Sequence, residues 1–73
     1  MAQSILSETE HAFTSADRRW RTEVGRSFGA DGVLRYGHLP QARGEPETAM
    51  RRAFEARREA ITAWRQARRP LPA

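Results

Sequence analysis

Two stretches of this chain repeat apolar residues at intervals of three and four. The segment that joins them is far longer than two packed helices need. Phe13, Ala16, Trp20, Val24 and Phe28 form the first stripe. Met50, Ala53, Phe54, Ala60, Ile61, Trp64 and Ala67 form the second, with Arg57 set inside it. Such spacing places one apolar face on a helix. A chain with only these two stripes is directed to an all-α arrangement, a two-helix antiparallel hairpin with a long, partly structured central loop. With 73 residues it forms a single small helical domain. A chain of that size buries only about 60% of its unfolded surface. No cysteine is present to supply a disulfide or a thiolate metal site. Assembly as a dimer, or docking on a larger protein, is the expected source of further stability.

The helix limits follow from local signals. Ser7 to Glu10 fits a capping box, in which Ser7 caps the helix and Glu10 reaches back to its amide. Gly29 follows the last stripe residue, where a left-handed residue is expected. The first helix is therefore expected over 7–28. Pro46 suits the first helical position, Glu47 favours the positive end of the dipole, and Pro70 and Pro72 stop the chain from continuing. The second helix is expected over 46–69, with a frayed tail at 70–73.

The loop 29–45 is not polar filler. Val33, Leu34, Tyr36 and Leu39 are four sizeable apolar residues within seven positions. Gly32 to Gly37 suits a short extended piece, although it has no evident partner strand. Two helices leave an open apolar edge, and this loop either folds back over it, as an Ω-loop does, or presents its apolar side chains to a partner. Tyr36 and Leu39 are the candidate loop contacts. Phe13, Trp20, Val24, Phe28, Met50, Phe54, Ile61 and Trp64 are the candidate core, which is also the candidate oligomer interface.

Charge is distributed unevenly. All 13 basic residues are arginine, and the net charge is +4. Residues 7–28 and 29–45 balance to zero, so the excess falls on the second helix. Arg51, Arg58 and Arg65 are seven apart on one side of it, with Arg69 one turn on. Glu47 and Glu55 lie within reach of Arg51 and Arg58, whereas Arg65, Arg68 and Arg69 have no acidic residue three or four positions before them. A cationic helix end of this kind is ordinarily just solvated and favourable to the dipole. It is equally a docking surface, and these five arginines are the candidate polar contacts. Arg57, inside the apolar stripe, either snorkels to water or meets a carboxylate across the interface, with Asp17 the candidate.

No catalytic pattern stands out. His11 and His38 lie in different elements without a second ligand at metal spacing, and the glycines do not form a phosphate loop. No serine has the strand–turn–helix setting of a nucleophile. The expectations are therefore a non-enzymatic chain with no cofactor, metal or small-molecule ligand. The start MAQSILSETE lacks a basic region followed by an apolar run, and no membrane-length apolar stretch occurs. A cytoplasmic location is expected. The function expected is that of a protein-interaction module, an adaptor or inhibitor of the size that bacterial phages and mobile elements commonly encode. The alternative is an accessory protein that binds nucleic acid through the arginine-rich helix.

Overall fold

The computed structural model describes residues 2–69. The chain is all-α: α1 (Ala2–Phe28), α2 (Gly32–Tyr36), a 3-10 turn (Pro40–Arg43) and α3 (Ala49–Arg68). The tail at 70–73, expected to fray, lies outside the described residues.

α1 begins well before the expected start at residue 7. Ala2 to Leu6 contains neither glycine nor proline, so nothing stops the helix from running through it. Ser7 is consequently an interior helical residue and the capping box does not form. Two residues on, Thr9 turns its hydroxyl back to the carbonyls of Ile5 and Leu6, at 2.9 and 3.0 Å, as interior threonines do. At the other end Gly29 adopts φ +89° and donates its N–H to the Gly25 carbonyl at 2.8 Å. This is the left-handed ending that the sequence predicts.

The connection is helical rather than extended. With no strand among the described residues to pair with, its backbone satisfies itself locally: Arg35 N–H to Asp31, Gly37 N–H to Val33, and Leu39 N–H to Tyr36. The two long helices are therefore joined by two short helical pieces, not by an open loop.

α3 starts three residues later than the sequence predicts. Pro46 and Glu47 belong to the turn before it, and Glu47 takes φ +68°. The cap is Thr48. Its hydroxyl accepts the Arg51 N–H at 3.1 Å and donates to the Glu45 carbonyl at 2.7 Å. The chain can turn this sharply because Gly44 lies at φ +83°, ψ 153°, a region essentially closed to other residues. A Cβ there would also stand 2.6 Å from the Arg51 amide nitrogen.

Contacts between α1 and α3 run in opposite order along the two helices. Phe13 meets Trp64, and Asp17 meets Arg57. The core proper consists of Trp20, Val24, Ala42, Met50 and Ala53, with Val33 and Phe54 packed against it. It occupies the half of the molecule where the connection folds back. Trp20 ties that connection down, because its indole N–H donates to the Ala42 carbonyl at 2.8 Å in a buried setting.

The apolar residues of the sequence reading divide in three. Trp20, Val24 and Met50 are buried. Phe13, Phe54, Ile61 and Trp64 are half-buried. Phe28 is a correction, since it is 38% exposed. Its step of four from Val24 turns it about 40° from that residue's direction. Its ring instead meets Tyr36, with centroids 4.8 Å apart.

Candidate functional site

From the end of the molecule farthest from the connection, a continuous row of rings and guanidinium groups runs in to the core. The Arg68 guanidinium lies 4.6 Å from the Trp64 ring centroid. Trp64 stacks on Phe13, at 5.6 Å between centroids and 18° between planes. The Arg57 guanidinium then stands 5.6 Å from Phe13 and 4.8 Å from Trp20. The row thus runs Arg68, Trp64, Phe13, Arg57, Trp20, alternating between the two helices except at its first step. Each cation over a ring contributes about 0.5–1 kcal/mol when exposed and about 2 when desolvated.

Arg57 is the fixed point of the row. Snorkelling, its simplest expected behaviour, is not what occurs. Its Nε donates to Asp17 Oδ1 at 2.7 Å, the cross-helix pairing that the sequence also offered. The other Asp17 oxygen accepts from Arg21 Nε at 2.8 Å. Partial burial alone would raise the Asp17 pKa. The hydrogen bonds and charges of Arg57 and Arg21 outweigh it and hold the group below its ordinary value of 3.8.

Other ion pairs fare unevenly, including Asp17–Arg21 and Arg19–Glu23, which the i,i+4 spacing on the first helix predicts. Asp17–Arg21 forms. Arg19 does not reach Glu23, which pairs instead with Arg26 at 3.2 Å. Among the described residues Arg51 and Arg58 form no ion pair with Glu47 or Glu55, and Arg65, Arg68 and Arg69 form none at all. Arg58, Arg65, Arg68 and Arg69 are exposed, while Arg51 is half-buried with its Nε lacking a hydrogen-bond partner. Of the five candidate polar contacts, Arg68 heads the aromatic row, Arg58, Arg65 and Arg69 are exposed outside it, and Arg51 sits at the opposite end of α3.

The candidate loop contacts lie away from this row. Tyr36 and Leu39 are both half-buried. In their neighbourhood Leu34 is the exposed apolar residue, at 84%. Val33 points the other way, onto the core, so the connection covers the open edge with Val33 and Ala42 and leaves Leu34 outside.

The start of α1 adds two residues that the sequence reading left out. Ile5 is 55% exposed and Leu6 36%. Leu6, Phe13 and Trp20 are seven apart, so they share one face, and this spacing was the signal available in the sequence. The capping-box reading started the helix one residue too late to include it.

His11 and His38 are exposed, and no group of three or more histidine or acidic residues suited to a metal occurs among the described residues. No helix among the described residues is long and apolar enough to cross a membrane. Comparison with protein-family models, curated proteins and solved structures finds no match for the chain.

Proposed function

We propose that the protein is a non-enzymatic protein-interaction module that docks through the half of the molecule bearing the aromatic and arginine row. The observation that carries this reading is the half-buried stack of Phe13 on Trp64, capped by the exposed Arg68 and continued by the exposed Leu6. Tryptophan and arginine dominate the energetics of protein interfaces because each offers large area, or directed charge, in one side chain. An apolar strip with cations along its border meets a protein surface that is apolar at its centre and acidic at its edge. Adaptor and inhibitor are the two roles that such a surface serves.

The test is a photo-crosslinking amino acid in place of Arg65, introduced in the cells that make the protein. A discrete adduct with protein, lost when Trp64→Ala is added, is the expected outcome. Absence of any protein adduct overturns the reading.

A second reading has its own observation. Arg58, Arg65 and Arg69 are exposed, share one side of α3 and form no ion pair among the described residues. Such a ridge suits a phosphate backbone, where binding weakens steeply with salt. A crosslinked adduct that nuclease removes would favour this reading over the first.

A further inference from the structure

The long helices differ in length, and among the described residues α1 runs on past the end of α3. Eleven residues of α1 precede Phe13, but only four residues of α3 follow its neighbour Trp64. At 1.5 Å per residue, α1 overhangs α3 by roughly 10 Å. The overhang begins near Leu6, and Ile5 and Leu6 are exposed there, Leu6 prolonging the face of Phe13 and Trp20. The molecule is correspondingly drawn out, at 45 × 22 × 17 Å with a radius of gyration of 14.1 Å. A compact chain of this length has a radius near 11 Å. Its accessible surface is 5920 Å², against about 4,600 Å² for a compact monomer of this mass. The excess, about 1,300 Å², is more than the roughly 800 Å² that one partner contributes to a standard interface.

The charges on this end are complementary. Residues 5–16 hold Glu8 and Glu10 and no arginine, while residues 60–69 hold Arg65, Arg68 and Arg69 and no acid. The two segments lie side by side in one molecule, yet no ion pair joins them among the described residues. A surface that is acidic and apolar on one helix and basic and aromatic on its neighbour complements itself when turned by a two-fold axis.

We infer that the occupant of this end is a second copy of the chain. The overhanging start of α1 of one molecule lies along the last turns of α3 of the other, Leu6 against the Ile61 and Trp64 side and the glutamates beside the partner's arginines. Symmetry makes the contact twice. This rests on the interaction-module reading and names its partner.

The test is sedimentation velocity of the full chain from micromolar to millimolar concentration. The expected result is a monomer–dimer equilibrium. Leu6→Glu places a charge in the apolar contact and weakens it by roughly tenfold or more. Because Leu6 lies on the surface, outside the buried cluster, the helical circular dichroism of that variant stays as in the parent. Glu10→Arg and Arg65→Glu each weaken the dimer, and the two together restore it, since the swapped charges complement each other again. A monomer at every concentration overturns the inference, as does a dimer indifferent to Leu6→Glu and to the charge swap. A monomer that still gives a protein adduct at position 65 would remove the second copy and leave the interaction module standing.

Discussion

The two halves of this molecule are built from the same two helices and differ in what lies across them. In the half near the connection, three layers meet. α1 supplies Trp20 and Val24, α3 supplies Met50 and Ala53, and the folded-back connection supplies Ala42. Val24 reaches complete burial there. In the far half the described residues form only two layers, and the same stripes leave Phe13, Ile61 and Trp64 half-exposed. Apolar periodicity on two helices therefore does not by itself produce a core. A third element is needed to close the groove, and among the described residues one lies over one half only. In the far half, cations stacked on rings and the Asp17–Arg57 pair take the place of burial.

The sharpest way to break this contrast is to remove one tryptophan from each half. Trp20→Ala empties the closed core and leaves the Ala42 carbonyl without its donor. The expected loss is about 3–5 kcal/mol, read as a fall in the urea midpoint. Trp64→Ala, in the open half, is expected to lower the stability of the monomer by only about 1–2 kcal/mol, because the ring is half in water already. Equal losses at the two sites would mean that the halves are packed alike.

Asp17→Asn comes next. It takes the charge from the group that fixes Arg57 between its two rings, and the expected loss is about 1–3 kcal/mol. Its pH dependence identifies the cause. A carboxylate whose folded pKa is depressed contributes stability above its unfolded value of 3.8, and this contribution disappears as pH falls through the lower folded value. The parent chain is therefore expected to lose stability on acidification below about pH 4 more steeply than Asp17→Asn does. Parallel curves would show that the pair contributes nothing through its charge.

The smallest effect sharpens the assignment of the α3 start. Thr48→Ala removes the cap and is expected to cost about 1 kcal/mol. Ser7→Ala, at the interior position first read as a cap, is expected to change stability by less than about 0.5 kcal/mol.

The stripes, the left-handed Gly29 and the Asp17–Arg21 pair were legible in the sequence because each depends on residues within one or two turns of a helix. The all-α class follows from them. The helix starts were misplaced because capping motifs are local and permissive. Ser7–Glu10 satisfies the pattern, but a helix-compatible stretch before it overrides it, and Pro46 yields to Thr48 because Glu45 and Thr48 close a turn of their own. Within the connection, Gly32–Gly37 suits an extended piece in sequence yet forms α2, because its helical turns are short and held by tertiary contacts. Ala42, the residue that completes the core, carries no pattern in sequence at all. It is identified only by the Trp20 indole 22 positions away. The aromatic and arginine row was half legible: its rings lay on the stripes, but the inward turn of Arg57 and the overhang of Leu6 needed the relative position of the two helices.

The most direct test of the contrast between a closed and an open half is amide hydrogen exchange, residue by residue, at low and at high protein concentration. The account predicts that amides of residues 20–24 and 53–57 are strongly protected at both concentrations. It predicts that amides of residues 6–13 and 61–67 exchange readily in dilute solution and gain protection as concentration rises and the second copy closes their half. Equal protection of both halves in dilute solution, unchanged on concentrating, would contradict it.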